Sequence, residues 1–97
     1  MSLNVFYTPR AKETLKLVYN FIQSEFGTRS ANKFALKAEK TIAMITEFPL
    51  MFKASSIDEK VRVAVISKQT SLFYRVTKTW VHILFFWDNR QEPILPR

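Results

Sequence analysis

The chain has 97 residues, 47% hydrophobic and 24% charged, enough apolar material for one domain spanning residues 1–97 around a single core. One histidine, His82, and no cysteine exclude a disulfide framework and a His/Cys zinc site, so no metal and no cofactor is expected. The net charge is +7, which suits a polyanionic partner but is equally consistent with plain solubility. Seven Lys/Arg against four Asp/Glu in residues 1–52 and eight against four in 53–97 give the charge no address. No apolar run approaches the roughly 18 residues of a membrane span, and Met1-Ser2-Leu3-Asn4 lacks the regions of a signal peptide. A cytoplasmic protein away from the membrane is expected.

Leu3 to Tyr7 alternate weakly and read as a first strand, closed by Thr8-Pro9. Thr8 is a good helix N-cap, and Pro9 fits the first helical position, where its missing N–H costs nothing. Leu15, Val18, Tyr19, Ile22 and Phe26 recur at helical spacing, and Gly27, the one glycine, is placed to close that helix in a left-handed conformation. Thr28 or Ser30 is expected to cap a second helix whose core face is Ala31, Phe34, Ala35, Ala38, Ile42 and Ile45. Its small residues let two antiparallel helices approach closely, and Pro49 ends it. Leu50 to Glu59 keeps no periodicity and reads as a loop.

Val61, Val63 and Val65 alternate with Arg62 and Ala64 as a half-buried strand, and Leu72, Tyr74 and Val76 alternate with Phe73 and Arg75 in the next. Ser67 to Ser71 and Thr77 to Thr79 are the turns. Trp80 to Trp87 is apolar at almost every position, which predicts a central strand. The order β-α-α-β-β-β implies an α+β domain, an antiparallel sheet with the helical hairpin on one face.

With the valines, Leu72, Tyr74 and Val76 facing the helices, Arg62, Phe73 and Arg75 share the open face. An arginine fork suits phosphate or carboxylate, and an aromatic ring can stack a base or anchor a peptide; the same residues are also ordinary on a solvated sheet face. His82 titrates near neutrality when unperturbed, yet in an apolar strand it reads first as a packed residue. Asp88 and Glu92 flank Arg90 and can act as bases or simply pair with it. Lys53, Lys60 and Lys68 lie in loops, and Lys33, Lys37 and Lys40 form the polar back of the second helix. Leu17 and Phe21 fall off the core stripe of the first helix and are candidates for burial against a partner.

The residues also carry a family resemblance over nearly the whole chain. Ala11, Leu15, Tyr19-x-x-Ile22, Phe26-Gly27, Ala31-x-x-Phe34, Ile45 and Phe48-Pro49 resemble the helical hairpin of RelE/ParE toxins. Val61-Arg62-Val63 through Ile66-Ser67-Lys68, Leu72-Phe73-Tyr74-Arg75-Val76 and Asp88-Asn89-Arg90-Gln91-x-Pro93 are similar to their sheet and to the motif after its last strand. The resemblance implies the toxin of a type II toxin-antitoxin, or plasmid stabilisation, system, held inactive by a cognate antitoxin; Leu17 and Phe21, off the core stripe, are the candidates for its contact.

ParE-like members act on DNA gyrase, whereas RelE-like members are metal-independent endoribonucleases that cut mRNA on the ribosome. Arg90 matches the family arginine after the last strand, and Arg62 stands for one of the RelE lysines. The RelE arginine of the third strand falls at Ser71, however, and Gln91 to Arg97 holds no tyrosine. Two long helices are the ParE-like arrangement, which is therefore the expectation. The alternatives are the nuclease, with catalytic candidates Arg62, Arg75 and Arg90, and a non-toxic basic binding module. Arg62, Phe73, Arg75 and Arg90 are the expected target contacts.

Overall fold

The computed structural model describes residues 2–56 and 58–89. The elements follow as β1 (Asn4–Tyr7), α1 (Pro9–Phe26), α2 (Thr28–Glu47), β2 (Arg62–Val65), β3 (Thr70–Val76) and β4 (Trp80–Asp88). The expected order and the α+β class hold. Thr8 caps α1, its hydroxyl accepting from the Ala11 N–H at 3.0 Å. Gly27 adopts φ +95°, a backbone that glycine alone takes without strain. Neither Thr28 nor Ser30 caps α2. Gly27 itself is the cap, its carbonyl accepting from the Ala31 N–H at 3.2 Å, because one residue both closes α1 and opens α2. Phe26, expected in the core stripe, is exposed, at the last position of α1 beside the Gly27 turn.

The sheet order is β1-β4-β3-β2, with β4 central as its apolar sequence predicts. The edge strand β1 pairs parallel to β4, while β4 with β3 and β3 with β2 are antiparallel. The sheet is therefore mixed, not wholly antiparallel: β1 and β4 are joined through all the other elements, a path long enough to return in the same direction. Both helices cover one face, and Ala11, Phe34, Ala38, Ile42 and Ile45 meet Leu72, Tyr74, Val81, Ile83 and Phe86 in the core.

The β2 valines do not face the helices. Val63 pairs with Phe73 and Ala64 with Leu72, so Ala64 and Ile66 enter the core and Val65 is exposed on the other side. Alternation alone cannot choose between the two faces; pairing with β3 does, and it favours burial of Ile66.

β4 runs nine residues but β1 only four, so among the described residues β4 beyond Ile83 has no neighbouring strand on that side. Helix α1 supplies the missing partners. The Thr8 N–H donates to the Ile83 carbonyl at 3.1 Å, the Thr8 hydroxyl to the Leu84 carbonyl at 2.8 Å, and the Phe86 N–H to the Thr14 hydroxyl at 2.9 Å. The contact falls where the β3–β4 register slips: Tyr74 pairs with Ile83 and Phe73 with Phe85, bulging Leu84. Replacing Thr14 with valine keeps the shape and strands the Phe86 N–H. A loss of about 1–3 kcal/mol in urea unfolding is expected; unchanged stability would show that water replaces the hydroxyl.

Candidate functional site

The predicted site residues divide between the two faces of the sheet. Arg62 pairs with Tyr74 and so lies on the helix side, not on the open face. Its guanidinium donates to the Phe52 carbonyl at 2.6 Å. Beside it the buried Tyr74 hydroxyl donates to the Pro49 carbonyl at 3.0 Å, and the Phe52 ring meets the Tyr74 ring edge-on. Together these side chains strap the loop after α2 onto the sheet. The same loop covers the outer edge of β2, with Val63 N–H donating to Lys53 carbonyl at 3.1 Å and an isolated bridge between Ala54 and Arg62. Arg62 is thus committed to structure.

Phe73 and Arg75 do lie on the open face. Phe73 is nonetheless buried, stacked on Phe85 with ring centroids 4.6 Å apart. Trp87 meets Phe85 edge-on, and the Arg10 guanidinium sits 4.6 Å above the Phe85 ring. Arg10, in the first turn of α1, is a cation of this face that sequence reasoning missed: a polar residue after Pro9 gives no sign that its helix delivers it across the end of β4. Arg75 is exposed and lies opposite His82 in the ladder. His82 is half-buried against the Phe6 ring, at 5.7 Å, closer to the packed reading than to a catalytic one. Ser71 is buried, its hydroxyl donating to the Asn89 side-chain oxygen at 2.5 Å.

Arg90 and Glu92 lie outside the described residues. Lys33, Lys37, Lys40, Lys53, Lys60 and Lys68 are exposed. Among the described residues no three His, Cys, Asp or Glu side chains converge on a point, and no helix is long and apolar enough to cross a membrane.

Leu17 and Phe21 are 60% and 45% exposed, as their position off the α1 stripe predicts. They line a cleft of about 330 Å³ between α1 and the end of the sheet, floored by Val18, Ile22 and Phe86 and rimmed by the β2–β3 turn at Ser67 and Gln69.

Residues 5–93 match the family model described as the ParE toxin of the type II toxin-antitoxin system parDE. The chain belongs to the ParE toxin family. It is a type II toxin-antitoxin toxin by that membership. No curated protein matches the sequence. Among solved structures the chain is similar to one of the chromosomal ParDE toxin-antitoxin system of P. aeruginosa, with a TM-score of 0.76 and 17% identity over 90% of this chain and 96% of that one. The RelBE2 toxin-antitoxin complex of Mycobacterium tuberculosis gives 0.65 and 19%, covering 92% and 100%. The YoeB dimer of Staphylococcus aureus gives 0.65 and 18%, covering 90% and 97%. The fold is therefore shared across ParE and RelE-type toxins.

The buried strap has a titration signature. Burial pushes the Tyr74 phenol above its ordinary value of 10.0, with the nearby Arg62 pulling the other way; burial and then Glu39 raise Tyr7. Both phenols hold their protons longer when folded, so their contribution is intact below pH 10 and is lost as pH rises through the folded values. Tyr74→Phe should cost about 1 kcal/mol at pH 7 through the lost bond to Pro49 and should flatten the fall in stability above pH 10. Urea unfolding at both pH values measures this; an unchanged alkaline slope would assign that fall to Tyr7.

Proposed function

We propose that the chain is a ParE-like toxin that inhibits DNA gyrase by binding it and is neutralised by a cognate antitoxin. The observation that carries this reading is the fate of the nuclease-type positions. Arg62 is spent on the Phe52 carbonyl, and Ser71, hydrogen-bonded to Asn89, stands where RelE-like toxins place an arginine. Metal-free RNA cleavage needs a base, an acid and cations gathered around one phosphate. Among the described residues, the open face offers Arg75 and Arg10 beside an apolar stack, with its one imidazole, His82, half-buried against Phe6. Inhibition by binding needs no such constellation. The ParE family match over residues 5–93 supports the same reading. Phe73 acts from beneath as support, while Arg75 and Arg90 are the proposed target contacts.

Purified chain should block supercoiling by purified gyrase and leave mRNA intact in a translation extract. Arg90→Ala and Arg75→Ala should each weaken inhibition; for the exposed Arg75 the fold should be preserved, since removing an exposed charge rarely costs more than about 0.5 kcal/mol. Ribosome-dependent mRNA cleavage with normal supercoiling would replace this reading with the endoribonuclease one, and harmless expression of folded protein would leave the non-toxic binding module.

The cleft at Leu17 and Phe21 is the proposed antitoxin site. It offers apolar surface to an amphipathic or extended segment, and large apolar anchors usually dominate such interfaces. Replacing Leu17 and Phe21 together with serine should weaken antitoxin binding at least about tenfold in calorimetry, with the far-ultraviolet spectrum unchanged. Equal affinity would move the interface elsewhere.

A further inference from the structure

Across the end of the open face, three strands place one row of side chains: Phe6 on β1 pairs with His82 on β4, which pairs with Arg75 on β3. Trp80 lies two residues before His82 on the same face, diagonal to Phe6. Phe6 is 46% exposed and Trp80 41%, and Arg75 and Lys78 of the adjoining turn are exposed as well. The free face of a sheet is ordinarily polar, so two large exposed rings on neighbouring strands mark a contact surface. None of the described strand positions on this face is Asp or Glu.

We propose that Phe6, Trp80 and Arg75 form a binding surface for a single strand of nucleic acid, held by stacking and phosphate contact without being cut. The inference does not rest on the gyrase reading. Bases stack on exposed rings whatever their identity, and an arginine fork or a lysine beside the rings takes the phosphates between them. Charge and shape favour this occupant. A second copy would bring Arg75 and Lys78 against their like-charged equivalents. A peptide anchor needs a pocket, and the two apolar clefts among the described residues lie away from this row, one beside Leu17 and Phe21 and one between the helices at Tyr7, Leu15 and Ala35.

The test is fluorescence anisotropy of the full chain with labelled twelve-nucleotide oligo-dT and oligo-U at about 50 mM salt, where phosphate contacts are strong. Binding of either strand is expected, and the arm that binds more tightly identifies DNA or RNA as the natural class. Phe6→Ala with Trp80→Ala should weaken binding by at least about tenfold, whereas Phe6→Tyr with Trp80→Phe should retain it. Arg75→Ala should lower the slope of log affinity against log salt by about 0.7. Lys33→Ala with Lys37→Ala, on the far side of the molecule, should leave affinity within about twofold.

Failure of both strands to bind would overturn the proposal. So would equal losses from the α2 variant and the aromatic variant, which would mark diffuse charge attraction. Cleavage of either strand would also overturn it, in favour of a nuclease. A dimer that Trp80→Ala dissociates, with oligonucleotide affinity unchanged, would assign the patch to self-association.

Discussion

The length mismatch between β1 and β4 is the constraint around which the rest of the molecule is arranged. Among the described residues, a central strand of nine residues beside an edge strand of four leaves backbone groups with no ladder partner on that side, and such groups cost free energy unless something satisfies them. Two threonines of the first helix do so. Thr8 serves both as the cap of α1 and as donor to Leu84, and Thr14 accepts from Phe86. The helix is thereby fixed against the strand in position and rotation, which turns Ala11 into the core and carries Arg10 over Phe85 on the opposite face.

The same fixation separates two surfaces with different chemistry. On the helix side, α1 presents Leu17 and Phe21 at an apolar cleft. On the open side, the bulge at Leu84 lets Phe85 stack on Phe73 under the Arg10 guanidinium, so that this face carries a small apolar layer of its own. Beyond that layer the exposed end holds Phe6, Trp80 and Arg75. The apolar cleft and the exposed aromatic end thus lie on opposite sides of one sheet.

The loop after α2 is held by side chains whose role is structural. Tyr74 and Arg62 reach out of the sheet to two carbonyls of the loop, at Pro49 and Phe52, and the loop in return covers the outer edge of β2. An arginine on a strand reads as a cation offered to a ligand. In this position its fork is more valuable to the backbone, because a loop without regular structure has buried carbonyls that need donors.

Much of this was legible in the residues. Thr8-Pro9 and Gly27 fix the ends of α1 through local geometry, the apolar spacing of both helices gives their core faces, and the all-apolar run from Trp80 announces a central strand. The family was also legible from the order of these signals, and Leu17 and Phe21 stood off the helical stripe as exposed residues do. What the sequence could not decide was every choice between two equivalent local solutions. Alternation in Val61 to Ile66 allows either face inward, and pairing with β3 turned the valines out and Arg62 in. A first strand can join the sheet in either direction, the long path to β4 permits both, and the folded sheet takes it parallel. Arg10 became part of the open face because a helix 18 residues long is anchored by hydroxyl groups more than 70 positions away in the chain from their partners. Local spacing sets which residues share an element, whereas the face an element buries depends on contacts between distant segments, and these exist only once the chain has folded.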